Sequence, residues 1–152
     1  MEFQDAEASP VVKMKITDPV ATVMTRSVVV ADKFQNFSAM LKLFSQYDMH
    51  HLPIVDGNGV IIGIVSSNDL MKVFSDPKFR NISLNSDDAD KLINIPDIMT
   101  TEVFTITSTD TLKHAAKLLT DNRILALPVV DNGQLVGIVS ARDLVQLIAY
   151  FT

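Results

Sequence analysis

A chain of 152 residues, 47% hydrophobic and 20% charged, carries enough apolar mass for one compact domain or for two small units sharing a core. Its formal charge of −5 offers no broad basic surface, which argues against duplex nucleic acid as a partner. The absence of cysteine excludes disulfides, thiolate nucleophiles and cysteine-ligated zinc.

Residues 1–18 read as an N-terminal tail. Met1–Ser9 is acidic and lacks the basic start and apolar run of a secretory signal. No apolar stretch approaches the roughly 20 residues of a spanning helix, so a cytoplasmic protein without a membrane partner is expected. After the tail, the β-branched run Val28–Val30 predicts a strand. Phe37, Met40, Leu41 and Phe44 then recur at i, i+3, i+4 and i+7, the stripe of an amphipathic helix. Two short apolar runs, Leu52–Val55 and Val60–Val65, flank the turn-rich Asp56-Gly57-Asn58-Gly59 and predict a β-hairpin. A second helix opens near Asp69 and carries Leu70, Val73 and Phe74.

Residues 76–94 are polar and read as a connector, in which Ser86-Asp87-Asp88 is placed to start a short helix by capping and dipole. The same order of elements then returns. Val103–Ile106 predicts a strand, and Leu112, Ala115, Ala116 and Leu119 a helix stripe. Leu127–Val130 and Leu135–Val139 form a hairpin about Asp131–Gln134, and a helix from Asp143 carries Leu144, Leu147 and Ile148.

The residues repeat as well as the pattern. Met24-Thr25 returns as Met99-Thr100, and Leu52-Pro53-Ile54-Val55-Asp56 as Leu127-Pro128-Val129-Val130-Asp131. Beyond a hairpin loop one residue shorter, Gly63-Ile64-Val65-Ser66-Ser67-Asn68-Asp69-Leu70 matches Gly137-Ile138-Val139-Ser140-Ala141-Arg142-Asp143-Leu144. Residues 19–75 and 95–152 are therefore two copies of one α/β unit, strand-helix-strand-strand-helix. Each is too small to bury its sheet comfortably alone, and packing the two sheet to sheet solves that.

Ser-x-x-Asp opens the second helix of each copy, at Ser66–Asp69 and Ser140–Asp143. It has two readings. As a capping box it only closes the helix start. As a site, the carboxylate accepts hydrogen bonds from the vicinal hydroxyls of a ribose, while the serine and the free N–H groups of the helix start face a phosphate. Arg142 adds a guanidinium suited to phosphate in the second copy, or is a solvated surface arginine; the first copy has Asn68 there. The helix start at Ser140, Arg142 and Asp143 is thus expected to hold a phosphate more firmly than the one at Ser66 and Asp69, unless His50 or His51 supplies a donor there.

The ordered set Val23-Met24-Thr25, His51-Leu52-Pro53-Ile54-Val55-Asp56 and Gly63-Ile64-Val65-Ser66-x-x-Asp69, occurring twice, resembles a tandem pair of CBS domains, a Bateman module. The resemblance spans residues 19–152. It implies two repeats about a pseudo-twofold axis, two clefts that take AMP, ADP, ATP, S-adenosylmethionine or related compounds, and dimerisation into a flat disc. It also implies that His51, Leu52 and Pro53, with Ala126, Leu127 and Pro128, border an adenine. Thr25 to Val28 and Thr100 to Val103 join them.

Nothing assembles a catalytic set, so a non-enzymatic module is expected. Asp48, His50 and His51 predict no metal site, because adjacent strand residues point to opposite faces. Gly57-Asn58-Gly59 and Gly63 lack the spacing of a dinucleotide fingerprint and precede a strand. The expectation is a regulatory sensor of an adenine nucleotide, with no other cofactor, acting as a homodimer on another protein. The alternatives are a ligand-free dimerisation module and an S-adenosylmethionine-type sensor.

Overall fold

A computed structural model describes residues 13–151, so the acidic start Met1–Ser9 lies outside the described residues. The first copy contains β1 (Ala31–Asp32), α1 (Phe37–Gln46), β2 (His51–Val55), β3 (Ile61–Ser66) and α2 (Ser67–Ser75). A 3-10 turn at Pro77–Phe79, α3 (Asp87–Leu92) and α4 (Ile95–Ile98) follow. The second copy has α5 (Leu112–Asn122), β4 (Ala126–Asp131), β5 (Gln134–Ser140) and α6 (Ala141–Tyr150).

Both expected hairpins form, in matching register. His51 faces Ser66 as Ala126 faces Ser140, and each hairpin shifts register at the same place, Ile54/Val55 and Val129/Val130. The shorter turn uses Asn132 and Gly133 at φ 51° and 79°, the left-handed pair a tight two-residue turn requires.

The strands before the first helices differ from expectation. β1 lies at Ala31–Asp32, pairing parallel with Ile54–Val55, rather than at Val28–Val30. In the second copy only Ile106 bridges, to Val129. Enrichment in β-branched residues marks a preference for a pleated, half-buried surface, and a ladder also needs an edge to pair with. Val28 and Val103 instead turn locally, their N–H groups donating to the Arg26 and Thr101 carbonyls.

The copies are joined by exchanging their opening segments. A 3-10 turn at Val20–Thr22 places Val20 and Met24 in the core of the second copy, with Ile106, Leu112, Ala115, Leu127, Val129 and Val139. Reciprocally, Ile95 is buried in the first core, with Phe37, Met40, Leu52, Ile54 and Val65, and Met99 packs against it. Thr25 and Ile138 exchange both backbone hydrogen bonds, at 2.9 and 3.0 Å; Thr100 and Ile64 do the same, at 2.9 and 3.0 Å.

Helix starts follow the same rule. The orphan N–H groups of Leu112 and Lys113, at the start of α5, donate to the Asp18 and Ile16 carbonyls, both at 2.9 Å. At the start of α1, Ser38 donates its N–H and its hydroxyl to the Asp90 carboxylate, each at 2.7 Å. The polar connector is thus structural: Asp90 sits on α3, which forms where Ser86 was expected to start a helix, and Ala89 and Ile93 enter the first core.

Gly63 and Gly137 make the exchange possible. A Cβ at Gly63 would lie 2.5 Å from Met99 Sδ, and one at Gly137 2.7 Å from Met24 Sδ. Each methionine rests on the glycine of the other copy's last strand. Not every expected core residue is buried: Leu70 and Val73 are, but Phe74 is 45% exposed and Ile148 79%. With Met71 and Val145 they leave apolar faces on α2 and α6.

Gly63→Ala is expected to cost about 1–3 kcal/mol, the usual penalty for overpacking. Because the clash is with the Met99 side chain, adding Met99→Ala should give a total loss smaller than the sum of the two single losses. Urea unfolding of the three variants checks this, and strict additivity would show that the contact is not what matters.

Candidate functional site

Two clefts open between the copies, each built from the helix start of one copy and the segment after Met-Thr of the other. The larger, about 530 Å³, lies between Ser140, Arg142 and Asp143 on one side and Thr25, Val28 and Val29 on the other. Tyr47 to His51 closes its third side. The smaller, about 210 Å³, has Ser66, Asn68 and Asp69 facing Thr100, Glu102, Val103 and Phe104, with Arg123 to Ala126 as the third side. The exchange of opening segments is what brings these groups together.

Of the residues singled out from sequence, Thr25, Val28, Ser140, Arg142 and Asp143 meet in the larger cleft, and Ser66, Asn68, Asp69, Thr100 and Val103 in the smaller. His51 and Ala126 border both. Leu52, Pro53, Leu127 and Pro128 border neither, being fully buried in the cores. Inside β2 and β4 these residues serve packing, and only the first residue of each strand reaches a cleft.

Both Ser-x-x-Asp sequences form complete capping boxes. Asp69 Oδ2 accepts from the Ser66 N–H at 2.8 Å and Asp143 Oδ2 from the Ser140 N–H at 2.7 Å. The serine hydroxyls accept in return from the N–H groups of Asp69 and Asp143, at 3.3 and 3.2 Å. The cap occupies one carboxylate oxygen and leaves the other. Asp69 Oδ1 has Lys72 Nζ at 3.9 Å, whereas Asp143 Oδ1 has no partner among the described residues. The Ser66 hydroxyl donates to Asp69 Oδ2 at 3.0 Å, and among the described residues the Ser140 hydroxyl has no such acceptor. The second helix start therefore keeps more hydrogen-bonding capacity for a ligand.

Arg123 was not picked out from sequence. It ends α5 in the left-handed conformation, φ 53°, and brings a guanidinium to the smaller cleft. The expected charge contrast between Arg142 and Asn68 is thereby offset. Each cleft holds one arginine and two carboxylates: Arg142 with Asp48 and Asp143, Arg123 with Glu102 and Asp69. A cation at a helix end carries no motif, and the signal available was its alignment with Asp48 in the other copy. The clefts differ more in volume.

His50 and His51 both border the larger cleft, contrary to the alternation expected of a strand, because β2 begins only at His51. His50 Nδ1 lies 3.3 Å from Ser67 Oγ. Burial, reinforced by the charge of His50 and opposed by that of Asp69, holds the His51 imidazole below its ordinary value of 6.5.

Paired α/β repeats with two pseudo-symmetric clefts define a class of module, and the comparisons place the chain in it. The CBS domain model matches residues 20–76 and 95–150: the chain belongs to the CBS domain family. A homoserine O-acetyltransferase of Methanococcoides burtonii is 32% identical over 130 residues, 85% of this chain and 24% of that protein. The chain thus spans about a quarter of that relative's length. Among solved structures, the CBS domain pair of protein MJ0100 in complex with 5′-methylthioadenosine and S-adenosyl-L-methionine superposes with a TM-score of 0.74 at 26% identity. That match covers 88% of this chain and 97% of the other. CBSX2 in complex with AMP gives 0.71 at 26% identity, covering 87% and 96%. No helix among the described residues is long and apolar enough to cross a membrane.

A histidine whose folded value lies below its unfolded one binds fewer protons when folded, so stability rises with pH between the two values. The lowered carboxyls of Asp110, held mainly by the Thr107 N–H, and of Asp131, held by Ser108, act only in a more acidic range. Urea unfolding is therefore expected to show stability falling from about pH 7 to about pH 5, with a flatter profile in His51→Ala. Parallel profiles would contradict the assignment.

Proposed function

We propose that the chain is a ligand-sensing regulatory module whose larger cleft holds an adenine nucleotide of the AMP, ADP or ATP class, and that another protein reads the bound state. One observation carries the reading. In a cleft of about 530 Å³, within the roughly 300–1,000 Å³ of small-molecule sites, the uncommitted Asp143 Oδ1, the Ser140 hydroxyl and Arg142 converge at the start of α6.

The chemistry follows from that arrangement. Asp143 Oδ1 accepts the ribose hydroxyls while Oδ2 keeps the cap. The phosphate lies at the positive start of α6, where the Ala141 and Asp143 N–H groups are already taken by the Leu125 carbonyl and the Ser140 hydroxyl, so Arg142 supplies the donors and the counter-charge. Val28, Val29 and Met49 supply apolar surface for adenine, and adjacent backbone supplies its edge contacts. Adenosine compounds in the two solved pairs support the ligand class. An S-adenosylmethionine-type ligand is the second reading, because Asp48 gives the same cleft an anion for a sulfonium. The reading is non-catalytic and cytoplasmic, and has two chains meeting through the exposed faces of α2 and α6, Met71 and Phe74 with Val145 and Ile148.

Calorimetry with AMP, adenosine and S-adenosylmethionine tests it. Asp143→Asn can keep the cap acceptor while replacing the free oxygen with a donor. Losing hydrogen bonds to a charged acceptor, about 1.5–3 kcal/mol each, should raise the Kd for AMP by about tenfold or more in a folded protein. Arg142→Asn should erase the preference for AMP over adenosine. Tighter binding of S-adenosylmethionine selects the second reading, and no binding of any of the three leaves a dimerisation module. Light scattering on the same samples should return a dimer mass; a monomer with and without ligand contradicts that part.

A further inference from the structure

The two clefts share a wall. His51, Leu125 and Ala126 border both, where the starts of β2 and β4 come together. The register makes His51 and Ala126 equivalent, one opposite Ser66 and the other opposite Ser140. The wall is chemically lopsided: an imidazole stands on one side and a methyl group on the other. His51 is therefore the polar side chain common to both clefts. Among the described residues its ring takes no hydrogen bond, whereas His50 Nδ1 has Ser67 Oγ at 3.3 Å.

A neutral imidazole offers one N–H donor and one acceptor nitrogen. An adenosine compound presents acceptors, the ring nitrogens and any phosphate oxygens, so ligands in both clefts would compete for one N–H. We propose that His51 couples the two clefts antagonistically, its single N–H serving the ligand in one cleft at a time, so that filling one weakens binding in the other. This rests on the adenosine reading above.

Linkage makes the antagonism reciprocal. Burial and His50 hold the ring in its neutral form near pH 7 against the pull of Asp69 on α2. The other charges around the wall are Asp48 after α1, Arg142 and Asp143 on α6, and Glu102 and Arg123 in the smaller cleft. The surround is net negative, one arginine against two carboxylates in each cleft, and favours the charged ring, while burial and His50 oppose it. When acid protonates the ring it gains a second N–H, which can serve both clefts, and the antagonism relaxes.

The test is stepwise calorimetric titration of AMP into the wild type and His51→Ala, which gives the wall the residue already accommodated at Ala126. The ratio of second-step to first-step Kd should be roughly fivefold or more larger in the wild type than in the variant. It should shrink toward about pH 5 in the wild type alone. One equivalent bound by the wild type and two by the variant would be the same coupling at its limit. Equal ratios in the two proteins, a ratio unmoved by pH, or one equivalent in both overturns the coupling and leaves the nucleotide reading standing. A protein that binds neither AMP, adenosine nor S-adenosylmethionine overturns both.

Discussion

Met24 lies on Gly137 and Met99 on Gly63, and the backbone pairs Thr25–Ile138 and Thr100–Ile64 hold each methionine there. The rest of the molecule depends on this crossed contact. A hairpin flanked in sequence by two helices cannot bury its apolar face alone, and the missing core residues come from the other copy: Val20 and Met24 for the second, Ile95 and Met99 for the first. Only glycine leaves room for a methionine sulfur so close to the strand. The helix starts obey the same exchange, α5 closed by the Ile16 and Asp18 carbonyls and α1 by Asp90.

The clefts are by-products of that packing. A segment crossing from one copy to the other must pass the start of the recipient's second helix, and there it leaves a gap with Thr25–Val29 or Thr100–Phe104 on one side and a capping box on the other. Each box uses only one of its aspartate's two carboxylate oxygens. Divergence between the copies acts on the result: a larger cleft around α6, where the Ser140 hydroxyl hydrogen has no acceptor among the described residues, and a smaller one with Arg123 and Phe104 around α2.

Much of this was legible in the sequence, and the exceptions have physical causes. The 75-residue repeat, both hairpins and the four long helices follow from periodicity and turn residues, and Ser66–Asp69 and Ser140–Asp143 mark the cleft floors. Periodicity could not reveal the exchange, because Met-Thr and Gly-Ile-Val-Ser recur in both copies and nothing local says which meets which. It also misassigned Val28–Val30, which has no strand partner, and of which Val28 and Val29 border the larger cleft. Leu52, Pro53, Leu127 and Pro128 belong to conspicuous motifs for a packing reason. Arg123 and Asp90 belong to no repeated motif, and their contacts exist only once distant segments have come together.

The crossed packing assembles the larger cleft from both copies at once, and AMP is expected to bind there. Amide hydrogen exchange with and without AMP tests it directly, because it reads backbone protection along the chain. Added protection is expected in three separated stretches together, 25–29, 47–51 and 140–143, since these form the larger cleft. Protection confined to one copy, or appearing on an outer surface such as the exposed side of α5 with these stretches unchanged, would contradict it.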